Sequence, residues 1–506
     1  MSITFGHRTV GVFAQVRLMS GSLAATAGFT LFFIAWATIE SILNADRALH
    51  FDLFEAYAWG QEFQLGYHQH GPFWAWVAGA WFLLFPNTNT SFVILEALNA
   101  TLGLLGASKL IGLFARGWQR HAATLLLLAT PFYTFNAYKY NANTIFVSLW
   151  PWTLYFFVRS LDRMSKWDAL FFGVFAAACI LSKYYAVLLL AACTLAIAFH
   201  HNGPKYVRSA LPWITAAAFS ALVAPHLVWA LNTNAPPVAY AMGLTGRGWL
   251  FSVRHAAIFV LELAAYQAGP AAILVFARVI SRNSSASGHV RRLTRSRRNF
   301  LAVLVLAPPL LTVAAGLVLE LKIESIMAIG IFPLAPLFLM QWVKPLDMKR
   351  GFSLAAGAAV AITLITLVLA PIARATMTAK KTGPSYTFPY RELAASVTEL
   401  WRAETHTPLR YIGGYAANGL AFYSEDRPSS FTNLDYGRAL WVTPDKLKQR
   451  GLIIACAHDD SVCLNKAAAF LWGNWKQKAI TIGRQIGSRR MPEVAFDVFV
   501  VPPTAG

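Results

Sequence analysis

DLFEAYAWGQEFQLGYHQHGPFWAW, residues 52–76, follows directly on the first long apolar run of the chain. It is the most polar and most aromatic stretch near the amino terminus. Asp52 and Glu55 stand one helical turn apart, Gly66-Tyr67 precedes His68 and His70, and Gly71-Pro72 opens a Trp-rich run. A soluble protein would absorb such a segment without comment. Next to a membrane the same groups are costly, and they are retained where they are used.

The surroundings are those of a membrane protein. Of 506 residues 57% are hydrophobic and 13% charged, and the mean hydropathy is +0.48. A soluble chain carries about 25% charged residues. Apolar runs near 23–43, 91–115, 121–136, 144–159, 168–182, 184–200, 209–231, 255–278, 299–319, 326–342 and 352–374 predict about 11 transmembrane helices. Arg8 and Arg17 precede the first, which reads as a permanent anchor rather than a cleaved signal.

The net charge of +20 invites a nucleic-acid reading, but its distribution points to topology. One set of alternate loops gathers Arg8, Arg17, Arg116, Arg120, Arg159, Arg163, Lys166, Lys205 and Arg208, the seven arginines from Arg278 to Arg298, and Lys344, Lys349 and Arg350. The opposite set holds Arg47, Lys139, Lys183, Arg247, Arg254 and Lys322. The richer side is cytoplasmic. The amino terminus is then inside, and the loop over residues 44–90 and everything past 375 are outside. This parity requires that Pro72–Pro86 not cross the bilayer, so it is expected to lie in the outer interface. The run RNSSASGHVRRLTRSRR, residues 282–298, reads as a cytosolic anchor to anionic lipid.

Residues 375–506 change character. Charged residues become frequent, and alternating stretches such as EVAFDVFVVPP flank helical ones such as RELAASVTELW, which reads as a small α/β domain. Residues 1–374 form the membrane domain in this reading. Cys179 and Cys193 fall in apolar runs and are read as packing residues. Cys456 and Cys463 fall in the outer domain, where an oxidising compartment permits a bridge, two reduced thiols being the alternative. His458, Asp459 and Asp460 lack a second ligand cluster, so no metal site is expected. No phosphate-binding glycine loop and no internal repeat occurs.

Four outer segments carry the candidate chemistry. Asp52 could deprotonate a hydroxyl, with Glu55 as its companion, although an acidic pair in a loop can equally be a solvated turn. Tyr67, His68 and His70 could bind substrate or shape the turn at Pro72. In NAYKYNANT, residues 136–144, Lys139 could meet an anion while Tyr140, Asn141 and Asn143 bind hydroxyls; the plainer reading is a snorkelling Lys with capping Asn residues. Lys183-Tyr184, at a break between two apolar runs, adds a further cation. With Arg247 and Lys322 these would form a positive pocket for a lipid phosphate or a sugar carboxylate. Glu96, inside an apolar run near the outer surface, is the most notable intramembrane acid.

The order of these elements resembles the GT-C glycosyltransferases that take sugars from polyprenyl phosphates: protein O-mannosyltransferases, the lipid A aminoarabinose transferase and rhizobial lipopolysaccharide galacturonosyltransferases. The shared features are D-x-x-E-A at Asp52–Ala56, G-Y-x-x-H-x-P-x-x-x-W at Gly66–Trp76, a polar outer loop at 136–150 and L-S-K-Y-Y at 181–185. The resemblance implies that Asp52 is the catalytic base and that the donor is a polyprenyl-phosphate sugar. It further implies an envelope glycolipid such as lipopolysaccharide as acceptor, a bacterial inner-membrane location, and no cofactor. Two departures stand out. Gly71-Pro72 replaces a Pro-Pro element, and Asn141 and Asn143 stand where many relatives carry a second acid. The competing classes are a flippase for a lipid-linked sugar, which should show repeats and broken helices at mid-bilayer, and a non-catalytic membrane scaffold.

Overall fold

A computed structural model describes residues 7–280, 292–342, 347–381, 383–486 and 489–504. Much of the basic run over 282–298, and Lys344, lie outside the described residues. The fold is mostly helical, with a small sheet domain at the carboxyl-terminal end. The helices used below are α1 (His7–Asn44), α2 (Phe51–Gly60), α3 (Phe73–Leu84), α4 (Asn89–Ile111), α5 (Gly117–Leu126), α6 (Phe146–Arg163), α7 (Lys166–Ser182), α8 (Ala186–Ile197), α9 (Leu211–Asn232), α10 (Trp249–Ile280), α11 (Arg295–Val318) and α12 (Met348–Lys380).

Among the described residues six helical stretches are long and apolar enough to cross a membrane: Ala24–Asn44, Asn89–Ile111, Leu211–Asn232, Trp249–Ile280, Arg295–Val318 and Lys349–Lys380. They correspond to six of the expected spans. Three more expected spans are the helices α6, α7 and α8, of 18, 17 and 12 residues. The remaining two are not single helices, and the chemistry of the chain explains why. The run 121–136 is helical only to Leu126, passes through a 3-10 turn and leaves the helix at Thr130, whose ψ of 150° is the extended conformation imposed by the following Pro131. The run 326–342 breaks at Gly330, with φ +89°, where a Cβ would meet the Phe146 carbonyl oxygen at 2.6 Å. Residues 73–84 form a helix of 12 residues, too short to span about 30 Å of hydrocarbon.

The sheet domain opens with α13 (Tyr390–Thr405), which turns Leu393, Ala394, Val397 and Trp401 inward. Its strands are β1 (Tyr411–Gly414), β2 (Ser429–Thr432), β3 (Leu452–Ala457), β4 (Lys476–Ile482), β5 (Gln485–Ile486), β6 (Arg489–Arg490) and β7 (Val494–Val501). The main sheet runs β2-β1-β3-β7-β4, parallel across its first three strands and antiparallel across its last three. Cys456 at the end of β3 is disulfide-bonded to Cys463, with Cα atoms 5.6 Å apart. Cys179 and Cys193 are buried thiols.

Docking of this domain on the bundle is aromatic and ionic. Phe54 of α2 meets Tyr390, Phe422 and Tyr423, and Tyr57 meets Phe422 edge-on. Arg484, 6% exposed, donates to the carbonyls of Ser385, Tyr386, Phe388 and Asp46. Arg374 of α12 grips the Asp46 carboxylate with two hydrogen bonds of 2.5 and 2.6 Å. The sheet domain, Asp46 and the start of α2 therefore share one end of the bundle.

Candidate active site

Asp52 lies in the first turn of α2, where helical N–H groups favour an anion. His50 caps this helix: its Nδ1 accepts from the Asp52 N–H at 3.2 Å. That nitrogen also lies 3.6 Å from Asp52 Oδ1. An Nδ1 that accepts a hydrogen bond carries no proton, and burial lowers the His50 pKa, so the contact is a cap rather than an ion pair. The Asp52 side chain is 15% exposed. Asn141 Nδ2 donates to its Oδ2 at 2.8 Å, and Lys139 Nζ lies 3.5 Å from the same oxygen. Among the described residues no hydrogen bond reaches Oδ1. One oxygen is thus held and the other is available.

The loop carrying Lys139, Asn141 and Asn143 is irregular yet tightly tied. Glu96 Oε1, buried in α4, accepts from the Tyr140 N–H at 2.9 Å, and the Tyr140 hydroxyl donates to the Trp74 carbonyl at 2.8 Å. Asn141 Oδ1 accepts from the N–H groups of Asn143 and Thr144 at 2.8 and 3.0 Å. Asn99 Nδ2 donates to the Thr144 carbonyl at 2.8 Å. Asn143 Oδ1 then accepts from Lys183 Nζ at 2.5 Å. A continuous polar path therefore runs from Asp52 through Asn141 and Asn143 to Lys183. Burial lowers the Lys183 pKa to about 8, against the opposing charges of Glu324 and Asp52.

Gly71 places the histidines. A Cβ there would meet the Leu181 carbonyl oxygen at 2.3 Å, so only glycine lets residues 70–72 lie this close to the α7 terminus. His70 is thereby brought beside Lys183, and burial together with that charge lowers its pKa to about 3. Burial and the charge of Arg438 lower the His68 pKa to about 4. Both rings are neutral at pH 7. Tyr240, from the connection between α9 and α10, places its ring 6.4 Å from each of them.

The other expected site residues are placed differently. The Tyr67 hydroxyl donates to the Trp59 carbonyl at 2.6 Å, and its ring stacks on Trp59 at 4.7 Å. Tyr67, Tyr140 and Glu96 are buried and hold backbone. The Tyr184 hydroxyl bonds His226 Nε2 at 2.6 Å, and His226 Nδ1 contacts the Leu65 carbonyl, which ties the 61–71 loop to α9. Lys322 pairs with Glu324 at 2.6 Å. Arg247 is exposed, and its backbone N–H donates to the Glu320 carbonyl. Glu55 is largely buried, and burial followed by the Asp52 charge raises its pKa to about 8, so it is protonated at neutral pH.

Three contributors were not singled out in the sequence. His50 carried a signal, as a capping residue two positions before Asp52. Glu324 carried a faint one, two residues after Lys322. Arg438 carried none, because its place depends on how a distant domain docks. Among the described residues no group of three or more His, Cys, Asp or Glu is arranged to hold a metal ion.

Residues 69–229 match the family model of dolichyl-phosphate-mannose-protein mannosyltransferases. No curated protein matches the chain in sequence. Among solved structures, ArnT from Cupriavidus metallidurans bound to undecaprenyl phosphate superposes with a TM-score of 0.51 at 13% identity, over 93% of this chain and 98% of that one. The same enzyme in its apo state gives a TM-score of 0.45 at 14% identity, over 94% and 98%. The fold is that of a GT-C glycosyltransferase. The family match covers His70, the 136–144 loop and Lys183, and it supports a membrane glycosyltransferase that draws on a lipid-linked donor.

Proposed function

We propose that this chain is an inverting glycosyltransferase that moves a sugar from a polyprenyl-phosphate donor to lipopolysaccharide or another envelope glycolipid. In this reading residues 1–374 form the catalytic membrane domain and 375–506 an outer domain. Catalysis takes place at the periplasmic face of a bacterial inner membrane, with the amino terminus inside. The observation that carries the reading is the Asp52 carboxylate, with Oδ2 held by Asn141 and Oδ1 available, beside two lysines at one end of the bundle.

The chemistry asks little more. The acceptor hydroxyl gives its proton to Asp52 Oδ1 as its oxygen attacks the anomeric carbon from the face opposite the phosphate. The bond from that carbon to the phosphate oxygen breaks, and polyprenyl phosphate departs with the electron pair. A single displacement inverts the anomeric centre. Lys183 and Lys139 lie where charge grows on the leaving phosphate, a placement that lowers the barrier only if it is fixed beforehand. The Asn141–Asn143 path supplies that fixing. A transporter would place its polar groups at mid-bilayer, whereas here they gather at one end.

Purified protein with a polyprenyl-phosphate sugar and envelope glycolipid tests the reading. Release of polyprenyl phosphate that depends on acceptor is the expected result. Donor movement across a bilayer without cleavage would favour a flippase.

A further inference from the structure

Among the contacts of the sheet domain with the 52–71 segment is a turn, residues 433–441. Asn433 and Leu434 both adopt left-handed backbone conformations, with φ of 57° and 52°, an arrangement that side-chain-bearing residues keep only where the surroundings enforce it. The surroundings do so. Leu434, Ala439, Trp441 and Val442 are buried as pegs in the domain, and Trp441 Nε1 donates to the Ser430 carbonyl at 3.2 Å. Between the pegs, Asp435 Oδ1 accepts from the Gly437 N–H at 2.8 Å, and the Asp435 carbonyl accepts from the Arg438 N–H at 3.1 Å. The turn is stiff, and Arg438 is what it presents.

That turn is fixed against the catalytic segment. The Trp441 ring meets Tyr67 edge-on at 6.1 Å. Just upstream, Gln61 Nε2 donates to the Pro428 carbonyl at 3.0 Å, and the Ser429 hydroxyl donates to Glu62 Oε1 at 2.5 Å. Arg438 lies near enough to Glu55 and His68 for its charge to act on both. It is nevertheless weakly committed: its side chain is 49% exposed, and its nearest carboxylate, Asp435, lies 3.8 Å away.

We infer that the outer domain completes the active site, with Arg438 binding an anionic group, phosphate or carboxylate, on the acceptor. This rests on the glycosyltransferase reading. The two cations beside Asp52, Lys139 and Lys183, are placed for the donor phosphate. Arg438 stands instead in a turn of a domain outside the helical bundle, three residues before the Trp441 that packs on Tyr67, and its half-exposed side chain is on the side an acceptor's polar head approaches. A planar guanidinium takes such an oxyanion through paired hydrogen bonds.

The test uses the full chain in nanodiscs, with bisphosphorylated lipid A, enzymatically dephosphorylated lipid A and undecaprenyl phosphate as separate probes. Parental protein should bind the bisphosphorylated form at least tenfold more tightly than the dephosphorylated one. Arg438→Ala should lose that preference, keep its affinity for undecaprenyl phosphate and melt at the parental temperature, and Arg438→Lys should restore part of the preference. Retained preference in Arg438→Ala, or an equal loss of undecaprenyl phosphate binding, would overturn the inference. Parental protein that binds undecaprenyl phosphate without preferring phosphorylated lipid A overturns it alone. Parental protein that binds no undecaprenyl phosphate removes the glycosyltransferase reading as well.

Discussion

Asn141 Nδ2 donates to Asp52 Oδ2 at 2.8 Å across 89 residues of chain. The amide holds the carboxylate with a hydrogen bond and adds no second charge beside it. Because Asn141 Oδ1 is itself held by two backbone N–H groups, the amide cannot turn without breaking its own loop.

Asn141→Asp therefore places a carboxylate against a carboxylate. Two such groups share a proton, and one of their apparent pKa values rises. A base with a raised pKa is protonated below it, so activity at pH 7 should fall at least tenfold and recover as pH rises. A pH–rate profile of this variant checks the shift. A profile superimposable on the parental one would show that Asn141 does not govern the base.

Lys183, lowered to about 8 by burial, is a cation at pH 7 and loses its proton as pH rises through 8. If it meets the donor phosphate, undecaprenyl phosphate affinity should fall across that window. Lys183→Arg remains charged to far higher pH and should extend binding on the alkaline side. Lys183→Ala should weaken binding by about 2–3 kcal/mol, the scale of a charge-assisted hydrogen bond. Titrations at pH 7 and pH 9 on the three proteins separate these outcomes.

Glu55 tests the opposite sign. Its folded-state pKa, raised from 4.5 to about 8, means that the folded chain holds a proton that the unfolded chain releases. The stability this provides is complete below 4.5 and is lost as pH rises through 8, at about 1.4 kcal/mol per pH unit. Glu55→Gln removes the dependence. The variant should keep its activity, and its melting temperature in detergent should overtake the parental one as pH rises from 5 to 8. Equal melting curves across that range would place Glu55 in contact with water.

Much of this was legible in the chain, and the failures have local causes. The six long spans read correctly because each is a continuous apolar helix. The runs 121–136 and 326–342 looked alike by hydropathy, but Pro131 and Gly330 divert the backbone inside the protein, where neighbouring elements satisfy it. Asp52, Lys139 and Lys183 stood out because charge at a membrane face is conspicuous. Tyr67, Tyr140 and Glu96 share that composition, yet their polar atoms are spent on backbone, a use that sequence alone does not distinguish from substrate binding. Arg438 was out of reach for a different reason. Its relation to Glu55 exists only once the sheet domain has docked.

Single-turnover transfer of sugar from a polyprenyl-phosphate donor by Asp52→Asn, measured in nanodiscs beside the parental protein, tests the central claim most directly. The amide keeps the shape of Asp52, and its oxygen can still accept from Asn141, but it cannot take a proton. The expected result is a rate lower by about 100-fold or more, the usual worth of a general base, with donor affinity unchanged. A near-parental rate would contradict the account and move the base to another group.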